Sequence, residues 1–229
     1  MPNNFDRIGF YGNPFIGLFL KSNNLITLMP VNSPTKFSRI NEILNTIQIK
    51  TTAFDSPLVG IYTAMNDNGI ILSNIFQNNE IENIKRELKT NKIEINIAVL
   101  KTEYTALSNN IVCNNKSTIV NPKIKEKNLI KTIKDTLDTE IIYLELEKYN
   151  TVGSVIFANN KGFVANPSLT DEELDKIEEI LGVKGGRGTA NGGVPFVSIC
   201  MTGNDKGIIV GETTTAFEQQ RIIDALGFI

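Results

Sequence analysis

Histidine is missing from this 229-residue chain, tryptophan is missing too, and cysteine occurs only twice, at Cys113 and Cys200. Without histidine there is no imidazole general base, no Ser-His or Cys-His nucleophilic pair and no His-liganded metal centre. Two cysteines make neither a disulfide framework nor a zinc site within one chain. Both sit in apolar runs, which reads as buried, reduced thiols. No apolar run approaches the ~20 residues that cross a bilayer, so no membrane association is expected. The opening residues MPNNFDRIGF lack a basic segment followed by an apolar stretch, so no secretory signal is expected and the protein is placed in the cytoplasm. The Asn115-Lys116-Ser117 sequon then reads as a chance match. An excess of one charge is also lacking: 23 Lys and Arg stand against 25 Asp and Glu, a net charge of −2. A general nucleic-acid binder is more often basic, so any contact with RNA has to be local.

What the chain does have is a repeat. Residues 152–167 (VGSVIFANNKGFVANP) read as two β-prone runs around an Asn/Gly turn, a hairpin. Thr170 then reads as the N-cap of a helix whose first turn is acidic and whose apolar residues Leu174, Ile177, Ile180 and Leu181 recur at helical spacing. Four other places carry the same pattern, with turns at Asn23, Asn66, Asn114 and Asn204. Helices are expected over 36–44, around Ile81, Ile84 and Leu88, around Leu129, Ile130, Ile133 and Leu137, and from Ala216 towards Leu226 with Phe217, Ile222 and Ile223 inward. Short strands are expected at 47–53, 93–99 and 140–146. The turn asparagines Asn23, Asn66, Asn114, Asn159 and Asn204 are spaced by 43, 48, 45 and 45 residues. Five near-equal periods mark a repeat architecture. An open solenoid usually carries atypical polar end units, and here the first and last units look like the middle ones. The expectation is one α/β domain over 1–229, a closed ring with a pseudo-fivefold axis. Its ββα-type units are approximately 1–53, 54–99, 100–146, 147–190 and 191–229, with strands inside and helices outside.

The stretches IGLFLKSNN, LVGIYTAMNDNG, TALSNNIVCNN, TVGSVIFANNKGFVANP with its TDEEL helix start, and GRGTANGG followed by MTGNDKGIIVGETTT carry a resemblance over essentially the full length. The chain resembles the translation initiation factor 6 family in its archaeal form, the ribosome anti-association factors. The resemblance implies the pentein propeller fold. It also implies binding of the large (50S) ribosomal subunit on its intersubunit face, blocking the small (30S) subunit, as a monomer without cofactor, metal or catalytic activity. Implied partners are the C-terminal helix of ribosomal protein uL14, a neighbouring zinc-ribbon protein and the rRNA near the sarcin–ricin loop. Release in the family is linked to a GTPase and a partner protein.

Few residue roles carry over. Asn109 matches a family position where substitution weakens ribosome binding; it also reads as a plain turn asparagine. Gly17, Gly60 and Gly153 recur at equivalent places in three repeats. They mark either close strand approach at a narrow ring or one flat end shaped for docking. The third repeat has Ser108 and Asn109 there, and the fifth has Phe196 and Val197. Outside archaea the family often has an arginine where Ile61 stands. The stretch from Lys184 to Gly193 (KGGRGTANGG) imitates a phosphate loop but lacks the Gly-Lys-Ser/Thr ending and leads into an apolar run. It reads as a flexible connection between repeats, or one that also touches the ribosome through Arg187. The lysines at 116, 123, 125, 127, 131 and 134 and the acids of 171–179 read mainly as solvated helix faces, and Thr213–Thr215 as a helix cap. Two rivals stand beside this reading. One is an enzyme of the same architecture acting on guanidino groups through Cys, His and carboxylates, which the lack of histidine opposes. The other is a scaffold for a different assembly.

Overall fold

Every turn asparagine sits at the tip of an antiparallel hairpin in the computed structural model, which describes residues 4–228. In chain order the elements are β1 (Phe5–Ile8), β2 (Lys21–Ser22), β3 (Ile26–Pro30), α1 (Ile40–Leu44), β4 (Ile47–Thr51), β5 (Thr63–Met65) and β6 (Gly69–Ser73). There follow α2 (Asn78–Thr90), β7 (Asn96–Leu100), α3 (Leu107–Asn110), β8 (Ile111–Cys113), β9 (Ser117–Val120), α4 (Lys127–Leu137) and β10 (Glu140–Tyr143). The rest are α5 (Val152–Val155), β11 (Ile156–Ala158), β12 (Phe163–Ala165), α6 (Asp171–Leu181), β13 (Gly185–Arg187), α7 (Val197–Cys200), β14 (Met201–Gly203), β15 (Ile208–Gly211) and α8 (Ala216–Ala225).

The strands form five three-stranded sheets of one design. A hairpin supplies the inner and middle strands, and after the helix an outer strand returns parallel to the middle one. The fifth sheet takes its outer strand from the other end of the chain: β1 pairs in parallel with β15, Phe5 opposite Ile208 through Ile8 opposite Gly211. That closes the ring, and the inner strands β2, β5, β8, β11 and β14 surround the axis. The result is the pentein arrangement, five quasi-identical units around a pseudo-fivefold axis.

Burial explains the cohesion. Each long helix lays its apolar stripe across the boundary between the sheet of the preceding unit and its own. Ile81, Ile84 and Leu88 of α2 pack with Ile26, Leu28 and Ile49 of the first sheet, and Ile177 and Leu181 of α6 pack with Val112 and Ile119 of the third. The pattern wraps round, since Ile40, Ile43 and Leu44 of α1 pack with Ile8 and Ile209 of the fifth sheet. A unit therefore has no complete core until its neighbour is in place.

Three expectations need correction. Residues 152–155 form the short helix α5 instead of extending the strand. It touches α3 on one side and α7 on the other, and α7 touches the 3-10 turn Ile16–Leu18. A four-residue apolar run buried on all sides has no period to betray its winding. The glycine-rich stretch after Lys184 is ordered as β13, paired in parallel with β12 from Phe163–Gly185 to Ala165–Arg187. Phe217 does not point inward: it is 68% exposed and lies under the guanidinium of Arg221, 4.7 Å from the ring centroid.

Candidate functional site

The ring has two ends, and the hairpins determine which residues reach each. The tips bring the five turn asparagines to one end. Each uses its side-chain oxygen locally and its amide across the unit boundary. Asn66 Oδ1 accepts from the N–H groups of Asn68 and Gly69, while its Nδ2 donates to the carbonyls of Asn114 (3.1 Å) and Leu137 (2.8 Å). Asn204 does the same with the carbonyls of Asn23 and Leu44, so the motif crosses the closure. The next residues, Asn24, Asp67, Asn115, Asn160 and Asp205, form a second ring. Each backbone N–H donates to the side-chain Oδ1 of the following unit, from Asn24 to Asp67, Asn115, Asn160, Asp205 and back to Asn24. This end is saturated with internal hydrogen bonds.

Outer strands run away from the tips, so the connections that follow them reach the opposite end. There the short helical turns place Gly17, Gly60, Ser108, Gly153 and Ser198 in a circle. A Cβ on Gly60 would collide with the carbonyl of Gly17, one on Gly17 with that of Ser198, and one on Gly153 with that of Ser108. Backbone bonds join the turns, with Gly60 N–H donating to Leu18 O and Ser108 N–H to Ile61 O. Four of the site residues expected from sequence thus stand at equivalent positions, and close backbone approach accounts for the three glycines. Asn109 follows Ser108 at the same end. Its Oδ1 is buried and has no hydrogen-bond partner, an unusual condition for a buried carbonyl. Arg187 is not part of this circle. Its guanidinium donates to the Leu169 carbonyl (2.8 and 3.0 Å) and to Asp171 (2.6 Å), which ties β13 to the start of α6.

Sequence reading missed the aromatic fingers of this end. Tyr11 and Phe54 lie in tight turns after β1 and β4, at φ +49° and +54°, and are 70% and 68% exposed. Left-handed φ on a bulky exposed side chain marks a position held by its surroundings. The holder is visible for Phe54: Glu80 at the start of α2 accepts the N–H groups of Phe54 (2.9 Å) and Asp55 (3.0 Å). Glu218 of α8 clamps the equivalent turn, accepting from Gly192, Gly193 and Thr189. Burial pushes both carboxyls up, but the hydrogen bonds outweigh it and hold them below the usual range. Phe196, 40% exposed and edge-on to Tyr149, joins the same face. The tight turns Phe10–Asn13, Ala53–Ser56 and Ala190–Val194 share a place in the repeat but no sequence motif, which left little signal.

Reactive chemistry is weak. Burial pushes the thiol of Cys113 up to about 11 and that of Cys200 to about 12, so both stay protonated at neutral pH. Among the described residues no three His, Cys, Asp or Glu side chains are grouped to hold a metal ion. No helix among them is long and apolar enough to cross a membrane.

Comparison with known proteins gives the family. A family model described as the eIF-6 family matches residues 5–225. Translation initiation factor 6 of Methanocaldococcus jannaschii is 35% identical over 222 residues, 96% of each chain. Those of Staphylothermus marinus and Saccharolobus islandicus are each 36% identical, over 94% and 98% of this chain and 94% and 99% of their own. Among solved structures, a dimethylarginine dimethylaminohydrolase from Pseudomonas aeruginosa in complex with citrulline aligns over 93% of this chain and 74% of its own. It does so at 10% identity and a TM-score of 0.47.

Proposed function

The chain belongs to the eIF-6 family, and on that premise we propose that it binds the large ribosomal subunit on its intersubunit face and keeps the small subunit from joining. The observation that carries the reading is the match to archaeal translation initiation factors 6 along almost the whole chain, at 31–36% identity. The family gives it a role in translation initiation; docking and blocking are the finer step. Occlusion asks for a rigid body and a preformed contact patch, not for reactive groups. The closed ring supplies the first. The end that carries Asn109, Ser108, Gly17, Gly60 and Gly153 offers the second: backbone-dense, rimmed by Tyr11, Phe54 and Phe196, with polar groups between. Exposed aromatic side chains are enriched in protein-binding patches, and Tyr11, Phe54 and Phe196 supply them at this end. Its partners on this reading are ribosomal protein uL14, the neighbouring zinc-ribbon protein and the rRNA near the sarcin–ricin loop, met in the cytoplasm by a monomer. Arg187 is the weakest of the contact candidates, since its guanidinium is already bound within the chain.

Sedimentation of purified large and small subunits with and without the protein tests the proposal. Co-migration with the large subunit alone, together with loss of joined ribosomes, is the expected result. Asn109→Ser is expected to weaken co-migration. A protein that stays at the top of the gradient while subunits join normally overturns the reading and leaves a scaffold whose partner must be sought by pull-down.

A further inference from the structure

The outer strand ends each sheet, with a strand on one side and none on the other. An unpaired edge is open to another chain unless something covers it. At four of the five junctions the helix of the following unit lies against that strand: α1 against β1, α2 against β4, α4 against β7 and α8 against β13. Side chains fasten two of these covers. Asn83 of α2 donates to the Lys50 carbonyl of β4 (2.9 Å), and Asn96 of β7 donates to the Thr136 carbonyl of α4 (3.2 Å). The junction of the third and fourth units differs. There α6 rests on the middle strand β9, where Ser117 Oγ donates to the Ile180 carbonyl. A lysine, Lys176, takes the place that Asn83 has in α2, three residues past the capping-box glutamate. The result is a cleft of about 810 Å³ along β10, with Ile142 and Tyr143 on one wall and Ile180 on the other. Tyr143 is 46% exposed.

Carboxylates surround this cleft. Glu140 and Glu145 stand on the strand side and Glu179 on the helix side, and Glu172 and Asp175 share the exposed face of α6 with Glu179. Two ammonium groups, Lys116 and Lys176, stand among them. None of these seven charges makes an ion pair with another of the described residues. Lys116 is answered by backbone: a Cβ on Gly182 would meet its amine, so the charge lies where α6 ends and the helix dipole is negative. Negative charge is therefore in excess around an apolar, open strand edge. We infer that the cleft takes an extended peptide segment of a partner protein, with apolar and basic residues in alternation, which adds to β10 as a fourth strand. Main-chain bonds to the open edge supply affinity, and the side chains that enter the cleft supply the choice of sequence. The cleft lies on the circumference of the ring and not at the end that carries Asn109, so this inference and the ribosome reading fail separately.

The probe is a synthetic heptapeptide of alternating lysine and valine, added to the ¹⁵N-labelled full chain. Saturable amide shifts are expected at 140–146 and along 172–180, and none at the turn asparagines. The same peptide with glutamate for lysine is expected not to bind. Only one edge of an added strand meets β10, so N-methylation of one alternate set of peptide nitrogens should abolish binding, and methylation of the other set should spare it. Glu140→Lys combined with Glu145→Lys and Glu179→Lys changes exposed positions and should lose the shifts while the melting temperature changes little. If that variant does not fold, the two methylated peptides still decide. An absence of shifts at 140–146 overturns the site. Equal binding of both methylated peptides also overturns it, and leaves charge attraction to α6 alone.

Discussion

The turn asparagine does two jobs that no other residue type combines. Its oxygen closes the hairpin on the two N–H groups that follow, and its amide reaches the next unit's carbonyls. In Asn66 three of the four bonds are buried and the one from Asn68 is partly so. Aspartate would still close the turn but would set a carboxylate against the carbonyls of Asn114 and Leu137. Asn66→Asp is therefore expected to destabilise more than Asn66→Ala, although it is the closer isostere. Alanine should cost about 2–4 kcal/mol, from the net worth of the lost bonds and the groups left unpaired. Urea denaturation of the three proteins checks the order, and an Asn66→Asp protein as stable as wild type would mean the amide bonds contribute nothing. The hairpin role was legible, because Asn followed by Gly or Asn between apolar runs is a turn signal. The cross-unit role was not, because the carbonyls it serves lie 48 and 71 residues away.

Helices show where periodicity works and where it fails. The long helices α2, α4 and α6 were readable, each with a clear apolar stripe, and the Thr170 cap was legible with them. Thr170 bonds the N–H of Glu173 and Glu173 bonds back, a full capping box. The same box recurs at Thr215 and Glu218, where the glutamate also clamps the preceding turn. The short helices α3, α5 and α7 escaped because four buried residues carry no stripe, and β13 escaped because Gly-Gly-Arg carries no strand signal. The clamp makes a pH prediction. Folding lowers the Glu80 and Glu218 carboxyls, so their contribution is complete above the unfolded carboxylate range near 4.3 and is lost as pH falls through the folded values. Glu218→Gln should weaken the protein by about 1–3 kcal/mol at pH 7 by removing one acceptor from buried N–H groups. The gap to wild type should narrow as the medium is made acidic, when the wild-type carboxyl takes up its proton. Denaturant midpoints followed from neutral pH to about pH 3 decide it; a gap constant with pH would show that the carboxylate charge plays no part.

A ring of half-cores has to be closed to be stable, and the first strand is what closes it. The even character of the five repeats made closure legible, but the sequence placed residues 5–8 in the first unit, whereas they complete the fifth sheet. Parallel pairing across the whole chain leaves no local trace, because the partner of Phe5 is Ile208. Burying Phe5 and Ile8 contributes about 3–6 kcal/mol, a large share of the roughly 5–15 kcal/mol that holds a domain together. Removal of residues 1–9 is expected to abolish the single cooperative thermal transition, and a truncated chain melting within a few degrees of wild type would mean that β1 is dispensable. Closure also settles how the two ends differ. One is sealed by its own asparagine bonds; the other exposes Tyr11 and Phe54, the latter on a turn that the Glu80 carboxylate holds still. If the ribosome is met through that second end, Tyr11→Glu with Phe54→Glu should reduce co-sedimentation with the large subunit at least tenfold. Both side chains are solvent-exposed, so the melting temperature should change little. Lys206→Glu, on the sealed end, should bind as wild type does. The reverse pattern would move the docking surface to the asparagine end, and equal loss from both would show that binding follows net charge and not a face.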